Sequence, residues 1–556
     1  MGLLFLTWGI FLLGLCAPAG AAVYHVAQRH PQASDQNLGT AERPWKTISH
    51  AAQVLQPGDT VIVHGGVYRE HVRPARGGKP EAPITYQAAP GEEVIITGAD
   101  LVTEWQRVPG EKPIWAHRPW PYKFPVHGAP PPVGRCEQVI VDGQLLRPVL
   151  TREEMSPGTF CADTEVQVLY LWLADGSDPR QHTVEASVRN RCFGFQWKQP
   201  GVDYLVVRGF VMRYGANMAQ RGLLYCVGNH WLIENNVIEW ANGNGLSFRG
   251  EGHVLRGNIC RYNGQMGLGG GGRDILLENL QLLYNNQKGF PAGWEAGGMK
   301  ITHSRRGKVI GLYAIGNRGP GLWFDIDVRD FEVSRCYVRD NFNSGIFVEI
   351  SGGFHLHDNL CVGNGGANWA DAGICLAESN DCLVEHNLCL GNKTGIGLRE
   401  QGPRTFRGFE GQEVTYWVRN VTLRRNICAF NRDFQFGLWS DNVFFGPHPS
   451  PQVGNQGTPL NPAEQHYLLE ENLYFAAEGQ GLILWGVPWR KKHETFAALA
   501  DFTQAHGQEA HSLVADPRLM DWKGGDYRLR PDSPALVRGM GLQEPPVGLR
   551  EIVGRE

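Results

Sequence analysis

The chain has 556 residues, with 56 acidic against 52 basic side chains and a net charge of −4. Its Lys and Arg residues are scattered, which excludes the concentrated positive patch that nucleic acid or an anionic membrane requires and points to a neutral or weakly charged partner. This length would hold several average domains, but repeat folds grow without splitting, so any internal repeat decides the domain count.

Residues 2–15, GLLFLTWGIFLLGL, are an apolar run followed by the small residues APAGAA. The run is too short for a comfortable membrane span and reads as a signal peptide over 1–22, although no basic residue precedes it. The mature chain is therefore expected to be soluble and secreted or periplasmic. Residues 23–100 read as an N-terminal cap and the first coils of a solenoid: TISHAAQVLQPGD suits a short amphipathic helix and TVIVHGGVYRE a first strand pair. Over 101–190 the repeat gives way to a Trp- and Pro-rich stretch with IWAHRPWPYKF and the strand-like VQVLYLWLAD, which predicts an inserted β-subdomain.

The repeat dominates residues 191–432. ENNVIEWANGNGLSF, RGNICRYNGQMGLGG and EHNLCLGNKTGIGL share an Asn, an apolar pair, a second Asn and a Gly before Leu or Ile. The marker glycines Gly245, Gly267, Gly298, Gly321, Gly345, Gly373 and Gly395 lie 22, 31, 23, 24, 28 and 22 residues apart. Short alternating apolar stretches punctuated by Asn and Gly are strand and turn chemistry, and one such unit buries its apolar face only by stacking on its neighbours. The expected fold is all-β, a right-handed parallel β-helix. Asn242, Asn263, Asn285, Asn317, Asn341, Asn364, Asn392 and Asn431 fit a hydrogen-bonded ladder. Cys260, Cys361, Cys389 and Cys428 recur in one local frame, as packed thiols would rather than disulfides or metal ligands. Residues 433–556 read as C-terminal coils and a cap, with a helix in HETFAALADFTQAHG and a last extended segment in DYRLRPDSPAL.

Alternation along the strands after the glycines lets the faces be read. In GLWFDID, Leu322, Phe324 and Ile326 are expected inward and Trp323, Asp325 and Asp327 outward; in GIFVEIS, Ile346, Val348 and Ile350 inward and Phe347, Glu349 and Ser351 outward. Asp325 and Glu349 each follow their glycine by four residues, which stacks them on adjacent rungs about 4.8 Å apart. That approaches the roughly 5 to 5.5 Å carboxyl separation of retaining glycosidases, and two acids so close raise the pKa of one. Trp323, Phe347 and Trp294 are candidate platforms for a sugar ring, and Lys300 and Glu295 candidate partners for its hydroxyls. Arg399 and Arg249 fall in the same column.

Through WEAGGMKI, GLWFDID followed by FVEIS, and GDTVIVHGGVYRE, the chain resembles the β-helix β-xylosidases of glycoside hydrolase family 120. The resemblance implies Asp325 as nucleophile, Glu349 as acid/base, and Glu295 and Lys300 in substrate contact; Asp327 is a second candidate beside Asp325 and an expected substrate contact, and no cofactor is expected. Two other classes share the fold. A polysaccharide lyase would use Lys300 as base and Ca²⁺ on the clustered carboxylates, and a glycan-binding or adhesin-like β-helix would cleave nothing.

Overall fold

A computed structural model describes residues 21–546 except 197, 367, 369, 401, 402, 441–464 and 488–491; the apolar run at 2–15 lies outside the described residues. Successive coils pair in parallel into two long sheets, of 22 and 13 strands. The architecture is the right-handed parallel β-helix expected from the repeat. Its core runs unbroken from Val26 to Phe502, built from inward residues such as Leu246, Leu268, Met299, Leu322, Ile346 and Ile374 stacked coil on coil. At the N-terminal end the helix Ile48–Val54, capped by the Thr47 side chain on the His50 amide, lays Ile48, Ala51 and Ala52 over the open core.

Turn asparagines hold the coils in step. From Asn263 through Asn285, Asn317, Asn341, Asn364, Asn392 and Asn431, each side-chain NH2 donates to the next carbonyl at 2.9–3.1 Å. These bonds satisfy polar groups that would be costly if buried alone. Asn242 departs from the expected ladder. Ala241 occupies the ladder position, bonding Asn263 through its amide, while Asn242 bonds Asn217. A second ladder, Asn359, Asn387, Asn426 and Asn472, lines another turn and was not expected. It ends on the buried Glu509, which accepts from Asn472 and Tyr474. The cysteines behave as small apolar residues: Cys361, Cys389 and Cys428 pair in register, and the described cysteines are buried free thiols.

Between Ala99–Leu101 and Val184–Ser187 the chain leaves the helix to form a four-stranded and a five-stranded sheet. They enclose a separate core around Trp105, Trp115, Phe160 and Leu171. At the other end the helix Leu499–His506 buries Phe502 against the last coils. No helix among the described residues is long and apolar enough to cross a membrane.

Candidate active site

Five strands carry the site: β1 Gly297–Ile310, β2 Leu322–Ser334, β3 Ile346–Glu349, β4 Ala372–Ala377 and β5 Thr394–Glu400. Pairing stacks Thr302, Asp325, Glu349, Ala377 and Arg399 in one column and Lys300, Trp323, Phe347, Cys375 and Gly397 in the next. Asp325 is thus brought opposite Glu349, with Lys300 diagonal to it one coil earlier. The small Ala377 lets Arg399 reach past it to Glu349.

The two carboxylates have different partners. Asp325 is 5% exposed, its Oδ2 lies 2.8 Å from Lys300 Nζ, and its Oδ1 has no hydrogen-bond partner. Burial first, and the neighbouring Glu349 second, push its pKa up to about 6 against the opposing pull of Lys300. Glu349 is more open and takes two arginines on Oε1, Arg399 at 2.9 Å and Arg404 at 3.2 Å. Arg399 also reaches the buried Glu378 at 3.4 Å.

The aromatic residues between these charges are not open platforms. Trp323 stacks on Phe347 with ring centroids 5.5 Å apart. Lys300 Nζ covers the other face of Trp323 at 3.7 Å and the Arg399 guanidinium sits 5.4 Å from the Phe347 ring. The stack is therefore a cation, two rings and a cation, a favourable arrangement for partly desolvated charges, and each cation grips one carboxylate of the pair. Trp323 is 3% exposed, and what it leaves for a ligand is its indole N–H, which is buried without a partner.

Asp327 and Ile326 correct the expected alternation. Both have positive φ, 59° and 57°, at a corner that His303, Ile350 and Glu378 also turn with positive φ. Thr302 pairs with Asp325 before the corner and Ser304 with Val328 after it; on the other side Asp325 pairs with Glu349 and Arg329 with Gly352. Both comparisons leave one extra residue in β2, a β-bulge. It turns Asp327 away from the column into full burial, and Ile326 stays out of the core. The Asp327 carboxylate accepts from Arg305 at 2.6 Å, from the Phe409 amide at 2.6 Å and from the Tyr416 hydroxyl. It is not a substrate contact. It pins a hairpin, β6 Arg404–Arg407 and β7 Glu413–Tyr416, from which Arg404 reaches Glu349. Ser351, expected outward, is buried too, its hydroxyl on the Glu349 carbonyl.

Trp294 and Glu295 close the short helix Ala292–Glu295. The Trp294 carbonyl accepts from Lys300 at 3.0 Å, while its ring packs edge-on against His127 of the inserted subdomain and not over the carboxylates. The Glu295 carbonyl accepts from Gln265, and its carboxylate acts electrostatically on Arg221. Beside Glu349 opens a pocket lined by Trp323, Phe347, Glu349, Arg399, Asn343 and Asp371. Arg404, Asn343 and Asp371 were not expected. Arg404 lies on an insertion outside the coil spacing, and the other two lie in turns where Asn and Asp usually serve backbone geometry. Among the described residues no group of three or more His, Cys, Asp or Glu side chains is placed to hold a metal ion.

Fold and site together define a parallel β-helix with a carboxylate pair, Asp325 buried and Glu349 half-buried, on its outer face. Residues 222–370 match the family described as right handed beta helix region. The solved structure of XylC in complex with xylose superposes with a TM-score of 0.64 at 22% identity, covering 89% of this chain and 87% of that one. The PL6 family alginate lyase AlyGC aligns at 12% identity with a TM-score of 0.43, over 95% of this chain and 58% of that one. The uncharacterized protein YwoF of Bacillus subtilis (strain 168) is 34% identical over 79 residues, which are 14% of this chain and 17% of YwoF.

Proposed function

We propose that the protein is an exported glycoside hydrolase of the retaining type, acting on xylo-configured or related plant or microbial glycans, with Asp325 as nucleophile and Glu349 as acid/base. The observation that carries this is the in-register pairing of Asp325 with Glu349, which sets two carboxylates one rung apart, close to the separation a covalent glycosyl intermediate needs. The nucleophile requires one fixed and one free oxygen, and Asp325 has Oδ2 on Lys300 and Oδ1 unpartnered. The acid/base must exchange protons with water, and Glu349 is the more exposed of the two. Similarity to XylC, solved with xylose, supports a sugar substrate of that kind.

A lyase would need Lys300 as a free base. Its amine is instead occupied by the Asp325 carboxylate, the Trp294 carbonyl and the Trp323 ring. Asp327, one of the carboxylates a Ca²⁺ site would use, is consumed by Arg305 and the hairpin.

The test is turnover of aryl glycosides and of plant and uronate polysaccharides, with and without chelator, by the mature protein and its Asp325→Ala and Glu349→Ala variants. Reducing-end release that both variants lose and chelator leaves untouched is the expected result. Unsaturated products that chelator abolishes would establish the lyase, and silence on every substrate would move the protein to a binding role.

A further inference from the structure

Of the two carboxylates the pocket is lined by Glu349, and its lining continues past β3 to Ser344 and Asn343. Ser344 and Glu349 lie five residues apart, four of them from Ile346 on in the extended strand, a span of at most about 16 Å against a single pyranose ring of roughly 5 Å. At the far end Asp371 is 4% exposed and accepts from the Asn368 amide at 2.9 Å, the Gly366 amide at 3.3 Å and the side chain of Asn343 at 3.3 Å. An ionised carboxylate only accepts, so the Asn343 group facing it is the NH2, and the carbonyl Oδ1 faces away. Asn343 is 8% exposed and that Oδ1 has no partner. A buried acceptor left open costs about 1–3 kcal/mol, and such costs persist in sites that a ligand completes. Trp323 lines the same pocket, and its indole N–H is a second buried polar group without a partner.

We infer that Asn343, oriented by Asp371, forms a second sugar subsite with the Trp323 N–H, one ring or more away from the bond that breaks, and that it selects oligosaccharides by accepting a hydroxyl of the distal unit. Asn343 is a specificity-determining residue and takes no part in the bond change. The inference rests on the glycosidase reading.

The test compares 4-nitrophenyl β-xyloside, which puts xylose in the reacting subsite and an aryl ring without sugar hydroxyls beyond it, with xylotriose. Asn343→Ala should lower kcat/KM for xylotriose about 10-fold or more and leave the aryl xyloside within about twofold, with an unchanged thermal midpoint. Asp371→Asn, which frees the amide of Asn343 to turn, should give the same selective loss. Equal loss on both substrates, or no loss on either, overturns the subsite while the glycosidase reading stands. If the wild type turns over neither xyloside, the xylo-glycosidase reading fails and the subsite fails with it. A lowered midpoint with no substrate discrimination marks Asn343 as structural and also overturns the proposal.

Discussion

Lys300 and Arg399 lie at opposite ends of one stack, each against an aromatic face, Trp323 for the lysine and Phe347 for the arginine. Lys300 binds Asp325 and Arg399 binds Glu349, so the rings space the two cations and the cations space the two acids. The aromatic faces are taken up by each other and by the two cations. This ties the reactivity of each carboxylate to a separate, removable counter-charge.

The pH dependence of kcat/KM follows from Asp325. Its pKa of about 6 means that a nucleophilic Asp325 is protonated and inactive below that pH, so the profile should fall on its acid side near pH 6. Lys300 pulls this pKa down, and Lys300→Met should move the acid limb upward by roughly one unit, besides lowering the maximal rate. A limb near 6 on the basic side instead would make Asp325 the acid.

Stability should respond to the same group with a defined sign. A carboxyl whose folded pKa rises from 3.8 to about 6 favours folding when protonated. That contribution is full below about pH 4 and is lost as pH rises through 6, an effect on the order of 3 kcal/mol. Asp325→Asn removes the ionisation. The thermal midpoint of the variant minus that of the wild type should therefore grow more positive from pH 4 to pH 7.5, and a difference flat in pH would contradict the burial argument.

Asp327 and Arg404 should act as one unit. Asp327→Ala leaves Arg305 buried without its partner, at a cost of about 3–5 kcal/mol. The milder Asp327→Asn should release the hairpin and with it the Arg404 contact to Glu349. Asp327→Asn and Arg404→Gln are each expected to lower kcat/KM about 10-fold, and the double variant to be little worse than the poorer single one. Additive losses would separate the hairpin from the Asp325–Glu349 pair.

The cysteines should be silent in the native protein. Each described cysteine is a buried free thiol, and burial pushes the Cys260 and Cys336 thiols up to about 12. Titration with a thiol reagent should find no fast-reacting group among them until denaturant is added, and reductant should leave the thermal midpoint unchanged.

The repeat of Asn and Gly made the fold readable because a solenoid restates its local rules in every coil. The same periodicity put Asp325, Glu349 and Lys300 in adjacent columns, since side-chain alternation holds as far as Glu349. It stopped at the corner. Nothing in the sequence DID distinguishes a bulge from a continuing strand, so Asp327 read as a surface acid although it is the buried anchor of a hairpin. Arg404 was invisible for a related reason, because an insertion has no frame to count from. Trp323 and Phe347 were placed on the correct face, but that their faces meet each other and two cations depends on side-chain packing that spacing does not encode.

The bulge at Asp327 has a genetic corollary. The difference between β2 and its two neighbours is a single residue, and so a single codon. An in-frame deletion of that codon would give a coil that still stacks, with its core and its ladders intact, but with nothing beneath the hairpin to hold Arg404 over Glu349. The same deletion would leave Arg305 buried without its carboxylate, so shedding the second arginine on Glu349 by one small indel calls for a matching change at Arg305.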